Sequence, residues 1–320
     1  MNIPEQHTTE NIYRNWLDGD WHEDASSIPA GSPERVLRRF VLESDSSQDK
    51  YVFEGSDMHR KGHRECQAKT LETLHERNCR HIIPWLRTKN NEIGIDADGY
   101  FWQCRKYLPG KELDRTTYAN EAWRGVALAD FLADLRRSSD SLEAHHHPFY
   151  LADYIHSLMH LIEERKPSLH QDLLPIVQEL QPLLLREKEM RLCFCHGDFH
   201  PLNVLWDDHG ITGVIDWEFA GPKPALYDAA NMTGCIGMDN PEFLTGPMVL
   251  HFLQKLQMDG TLSPAEISQL PGYMAALRFG WMREWCWRNE KEMMIQELDY
   301  LWLLLDNRDL LAKRWEVPTD

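Results

Sequence analysis

Residues 192–216 constrain this chain more than any other stretch. Leu192-Cys193-Phe194-Cys195 is a short apolar run, and the segment His196-Gly197-Asp198-Phe199-His200-Pro201-Leu202-Asn203 follows it at once. Val204-Leu205-Trp206 and residues 211–215 are further apolar runs, divided by Asp207-Asp208-His209-Gly210 and closed by Asp216. Short apolar runs bounded by turn formers are strands rather than helices. The spacing predicts a strand, a loop and a hairpin, with Asp198 and Asn203 on the loop and Asp216 at the end of the hairpin.

The flanking sequence has a different texture on each side. Residues 1–27 predict a helical or irregular lead-in. Residues 34–54 contain two β-like runs, Val36 to Leu42 and Tyr51-Val52-Phe53, separated by the polar turn Ser44-Asp45-Ser46-Ser47-Gln48-Asp49. They predict an antiparallel hairpin. A helix is expected over 63–77, with Leu71 and Leu74 on its apolar side. Strands are expected over 92–95 and 100–105, around the turn Asp96-Ala97-Asp98-Gly99. Lys106-Tyr107-Leu108-Pro109-Gly110 reads as a linker. Beyond it, residues 120–137, 148–165 and 171–190 carry helical spacing, and helices resume after the hairpin. There is no internal repeat. The pattern predicts an α+β chain of two lobes. Residues 1–106 form a small antiparallel-sheet N-lobe, and residues 107–320 a larger, mostly helical C-lobe.

The central segment also carries chemistry. Phosphoryl transfer asks a protein for a carboxylate near the attacking hydroxyl, for oxygen ligands that hold Mg²⁺ on the phosphates, and for positioning. Asp198 and Asn203 stand at the H-x-D-x-x-x-x-N spacing of a kinase catalytic loop. In that pattern Asp198 accepts or orients the hydroxyl proton of the acceptor. Asn203 and Asp216 offer the hard oxygen atoms that suit Mg²⁺. Singly, an Asp in a turn is a cap and an Asn is a turn former. The combination carries the reading.

These residues resemble the aminoglycoside phosphotransferase and choline-kinase-like superfamily. Its signature is similar to H-G-D-x-H-x-x-N-x-L followed by x-I-D-x-x-x-A, matched here by His196 to Leu205 and by Val214-Ile215-Asp216-Trp217-Glu218-Phe219-Ala220. The resemblance implies a two-lobed protein-kinase-like fold and transfer of the ATP γ-phosphate to a hydroxyl of a small molecule. It implies Asp198 as the catalytic base, Asn203 and Asp216 as metal ligands, and Glu218 as a further metal or water ligand. Asp228, in Tyr227-Asp228-Ala229-Ala230, matches the aspartate that buttresses the loop, and His196 and His200 shape it. In the N-lobe, Glu65 is the expected helix partner of a strand lysine. Arg105, Lys106 and Tyr107 mark the hinge where adenine meets the backbone.

The sequence departs from that pattern in two places. The strand position that ordinarily holds a basic phosphate contact aligns with Glu54, and a carboxylate does not pair with a triphosphate. Three explanations stay open: a shifted register, another cation such as Arg39, Lys61 or Arg64, or weakened nucleotide binding. The glycine-rich loop is reduced to Ala30-Gly31-Ser32-Pro33. A kinase-like binding protein without turnover is therefore the alternative.

Residues 279–292 read FGWMREWCWRNEKE. Trp281, Glu284 and Trp285 share a helical face, which suits either a cationic acceptor through cation–π contact or a core stripe. The formal charge of −17 fits a cationic small-molecule partner and disfavours nucleic acid. No run approaches the roughly 20 apolar residues of a membrane span. The polar N-terminus lacks signal character, so a cytoplasmic location is the default. The seven cysteines, with only Cys193 and Cys195 close together, suggest buried reduced thiols rather than a metal site. Oligomeric state is not legible.

Overall fold

The computed structural model describes residues 5–27, 36–142 and 147–316. The Ala30–Pro33 glycine-loop candidate lies outside them. Contacts divide the chain into two compact units, Met1–Lys111 with Leu205–Glu218, and Glu112–Val204 with Phe219–Asp320. The chain thus leaves the first unit after Lys111 and returns to it for the hairpin.

In the first unit, helix α1 (Glu5–Tyr13) precedes strands β1 (Trp21–Glu23), β2 (Arg38–Ser44) and β3 (Lys50–Asp57). Helix α2 (Lys61–Glu76) and strands β4 (Ile95–Ala97) and β5 (Tyr100–Lys106) follow. The strands form an antiparallel sheet of order β1-β2-β3-β5-β4 among the described residues. Asp98 and Gly99 both take positive φ, 52° and 81°. This two-residue loop is what a tight β4–β5 hairpin requires. The fourth strand starts at Ile95 rather than residue 92, because Thr88 accepts the Glu92 N–H and holds that segment in a turn.

The lead-in closes the core of this unit. Ile12, Tyr13 and Trp16 bury themselves against Phe40, Leu42, Phe53 and Trp102. The Trp16 Nε1–H donates to the Leu86 carbonyl at 2.9 Å. Edge-on packing of Trp16 on Phe53 and stacking of Phe40 on Phe53, at 5.7 and 4.9 Å between centroids, are favourable aromatic geometries.

The second unit is mostly helical. It contains α3 (Ala122–Ser138), α4 (Leu151–Arg165), α5 (Pro167–Leu184) and strand β6 (Leu192–Cys195). The hairpin β7 (Val204–Trp206) and β8 (Ile211–Val214) comes next in the chain, followed by β9 (Gly221–Pro224). Helices α6 (Tyr227–Asp239), α7 (Pro247–Met258), α8 (Pro264–Arg288), α9 (Lys291–Asp306) and α10 (Arg308–Trp315) complete the chain.

Helix α5 begins four residues earlier than its apolar spacing suggested, since Pro167 at its start is pre-set for a helical φ. It also ends earlier, at Leu184. Downstream, the buried Glu187 carboxylate accepts the N–H groups of Leu151 and Ala152 at 2.9 and 2.8 Å and the Tyr273 hydroxyl at 2.7 Å. Helix α3 packs closely on α7 at Gly125, where a Cβ would lie 2.0 Å from the Met248 carbonyl. Strand β9 pairs with β6 despite Pro222 and Pro224, which a proline tolerates only at an edge.

Candidate active site

The loop after β6 belongs to the second unit and is held from below by Asp228. That carboxylate, buried in the first turn of α6, accepts the N–H of His196 at 2.7 Å and of Gly197 at 2.9 Å. Burial pushes its carboxyl up, against the pull of these two N–H groups and of Lys223 and Arg136. Gly197 has φ +84°, and a Cβ there would meet the Phe219 carbonyl at 2.1 Å. No other residue fits this turn. His196 is fully buried, and its Nδ1 accepts the Asp198 N–H at 3.1 Å. That bond fixes Nδ1 as an unprotonated acceptor. His196 therefore shapes the loop.

Asp198 is presented at the loop's tip, with its side chain 23% exposed. Asn203 Nδ2 donates to the Asp198 carbonyl at 2.9 Å and to its Oδ2 at 3.2 Å. His200 Nε2 lies 3.6 Å from the same Oδ2, while His200 Nδ1 accepts the Leu202 N–H at 3.3 Å. Beneath them, Phe199 stacks on Phe131 at 5.3 Å. The loop thus holds one carboxylate in a fixed orientation. With the amide nitrogen of Asn203 turned to Asp198, its Oδ1 is the end suited to a cation.

Beside this loop, α8 and α9 supply a second cluster. The Trp281 ring lies 6.2 Å from His200 and stacks on Trp285 at 6.0 Å. Arg278 stands 5.3 Å from the Trp281 ring and donates through Nε to Glu297 at 2.9 Å. Trp285 Nε1 donates to the same carboxylate at 3.1 Å. Glu297 is fully buried. Sequence reading passed over it, yet a carboxylate in the apolar stripe Met294, Glu297, Leu301, Leu304 was the available signal. Glu284, the carboxylate expected on the face of Trp281 and Trp285, is otherwise engaged: it pairs with Arg288 at 2.6 Å. Trp287 lies between the protein's own Arg165 and Arg283 at 4.9 and 5.1 Å.

The other expected site residues lie in the first unit. Asp216 follows the β7–β8 hairpin with a left-handed φ of 61°, and its charge is felt by Arg64. The hairpin is anchored through the Val214 N–H, which donates to His81 O at 2.9 Å. Glu218 forms an ion pair with Arg60, and His63 Nε2 contacts its backbone carbonyl at 3.1 Å. Its carboxylate thus has a protein partner.

Glu54 is buried at the centre of three guanidinium groups: Arg39 at 3.0 Å, Arg64 at 2.9 Å and Arg105 at 2.9 Å. Burial would raise its carboxyl, but the charges of Arg105, Arg64 and Arg39 outweigh that and hold it at about 2. The helix residue paired with the strand is Arg64, not Glu65. One position on a helix turns a side chain by about 100°, which separates the two. Lys106 is exposed, 3.9 Å from Asp49. The Tyr107 N–H donates to Lys50 O at 2.9 Å, so at this one of the three expected hinge residues the backbone donor is already paired.

The profile of the phosphotransferase enzyme family matches residues 83–248. The chain belongs to that family. A homoserine kinase from Acidiphilium cryptum is 34% identical over 117 residues, covering 34% of this chain and 36% of that protein. The chain thus aligns with only about a third of the length of this curated relative.

Among solved structures, an aminoglycoside phosphotransferase from Alicyclobacillus acidocaldarius superposes with a TM-score of 0.63 at 15% identity, covering 98% of this chain and 95% of that one. An amicoumacin kinase in complex with AMP-PNP, Ca²⁺ and Ami gives 0.67 at 13% identity, covering 95% and 94%. The family member therefore has the α+β, protein-kinase-like fold of these structures.

Proposed function

We propose that this family member transfers the γ-phosphate of ATP to a hydroxyl group of a small molecule. The observation that carries the reading is the posture of Asp198, whose carboxylate is oriented by Asn203 at 3.2 Å and His200 at 3.6 Å. The backbone beneath it is fixed by Asp228. A base must be aimed before it is useful.

Asp198 accepts the proton of the acceptor hydroxyl as its oxygen bonds to the γ-phosphorus and the bond to the departing ADP breaks. Asn203 and Asp216 supply oxygen donors of the kind Mg²⁺ takes. Glu218 fits less well, because Arg60 already occupies its carboxylate. Mg²⁺, when bound, neutralises charge building on the phosphate oxygens. The homoserine kinase match supports hydroxy amino acids as one of the acceptor classes. The division of labour we propose is residues 1–106 toward the nucleotide and 107–320 toward catalysis and the acceptor.

The reading without turnover rested on Glu54 and on the reduced glycine-rich loop. Three arginines around Glu54 supply cations at that position, while the loop candidate lies outside the described residues. The test is a screen of amino alcohols, amino sugars, sugars and hydroxy amino acids with ATP and Mg²⁺, scored by ADP release. Release that depends on one acceptor class and stops with EDTA is expected. Nucleotide binding with no acceptor-dependent ADP from any class would favour the non-catalytic alternative.

A further inference from the structure

Arg39 and Gln103 are the cross-strand partners of Glu54 on β2 and β5, and Arg105 is two residues beyond Gln103. Strand alternation puts all four side chains on one face of the sheet. Arg64 reaches the same place from α2. Arg64 and Arg105 lie over the Trp85 ring at 4.7 and 5.0 Å. Three guanidinium charges surround one carboxylate, and even with the Asp216 charge felt at Arg64 a positive excess remains where the arginine side chains are only 12 to 16% exposed. Such an excess is costly within a protein unless an anion shares it.

A second observation points the same way. Gln103 is fully buried, and its Oε1 accepts Arg64 Nε at 2.9 Å. That bond decides which end of the amide is which. The opposite end, Nε2, is a buried donor with no acceptor among the described residues. Arg105 gives Nη2 to Glu54, and Nε and Nη1 of its fork are further N–H donors. The cluster thus gathers N–H groups around one carboxylate, with the Gln103 and Gln67 amide oxygens accepting only from Arg64. Planar forks of this kind match the oxygens of a phosphate.

We propose that Arg105 and the Gln103 amide bind the phosphate chain of the nucleotide, with Glu54 and Arg64 as positioning residues that hold the fork in place. The polarity of the strand–helix pair is thereby reversed: the acid is on β3 and the base on α2, and the phosphate contact moves to β5. This rests on the phosphotransferase reading only for the identity of the anion.

The test is calorimetric titration of the full chain with ATP, with tripolyphosphate and with adenosine. Arg105→Gln should weaken ATP and tripolyphosphate at least tenfold and leave adenosine unchanged. Gln103→Leu, which keeps every charge, should weaken the same two ligands by a smaller factor. Circular dichroism confirms that each variant is folded. Unchanged affinity for ATP and tripolyphosphate in both folded variants overturns the assignment. Acceptor-dependent ADP release with the wild-type KM for ATP in Arg105→Gln removes the site while leaving the phosphotransferase reading intact. Tripolyphosphate binding that needs Arg105, in a chain that releases no ADP, keeps the site and removes that reading.

Discussion

The amide nitrogen of Asn203 reaches both the backbone carbonyl and the carboxylate of Asp198, at 2.9 and 3.2 Å. Two residues five apart in sequence are thereby locked as one unit, which is the physical content of the H-x-D-x-x-x-x-N spacing. A hydrogen bond to a charged group contributes about 1.5–3 kcal/mol. Asn203→Ala should therefore lower kcat by roughly 10- to 100-fold from lost orientation alone. Steady-state kinetics with the acceptor found by the screen checks this. An unchanged kcat removes the orienting role.

Asp228 and Gly197 hold the same loop by opposite means, one by accepting two N–H groups and the other by having no side chain. Asp228→Ala leaves two buried donors without an acceptor, at about 1–3 kcal/mol each. Gly197→Ala drives a Cβ into the Phe219 carbonyl. Both variants should unfold at lower denaturant concentration than wild type and lose activity together with stability. Wild-type midpoints for both would show that the loop is not braced in this way.

Glu54 should make the protein acid-sensitive. Its carboxyl is held at about 2 instead of the ordinary 4.5. A depressed acid contributes stability above its unfolded value and loses it as pH falls through its folded one. The contribution is therefore complete above about pH 4.5 and fades toward pH 2. Removing one member of a buried ion cluster costs about 3–5 kcal/mol, and Glu54→Gln should lose that much at pH 7. Urea midpoints measured from pH 7 to 3 should fall less steeply below pH 4.5 for Glu54→Gln than for wild type. Parallel curves would contradict the assignment.

Cys193 and Cys195 bring their sulfurs to 3.6 Å on one face of β6. The hydrogen bond from Cys195 and the nearby Arg136, 3.3 Å away, hold the Cys193 thiol below its ordinary value against its burial. Cys195 is pushed the other way, first by burial. In a Cys66→Ser chain, which lacks the exposed thiol, alkylation should strike Cys193 first, with a rate midpoint below that of an ordinary thiol. Modification that still accelerates past pH 8.5 would count against this.

The sequence was most informative where local pattern decides structure. The β2–β3 hairpin, the Asp98-Gly99 turn and the loop around Asp198 are each written in consecutive residues. Strand β9 was hidden because two prolines mask an edge strand that exists only through pairing with β6. Glu297 was hidden for a similar reason: its partners Arg278 and Trp285 come from another helix. The puzzle at Glu54 was legible as a puzzle, but its solution needed three strands and a helix to converge. Arg64 and Glu65 are neighbours in sequence, and only the helical phase of α2 decides which one meets the sheet.

Turnover rests on Asp198 as acceptor of the hydroxyl proton. Asp198→Asn keeps the shape of the side chain and removes its basicity. With the acceptor identified, the variant should lose about 10²- to 10⁴-fold in kcat, the range for a general base. Its affinity for ATP should stay at the wild-type value. A folded Asp198→Asn protein that turns over at the wild-type rate would contradict the account.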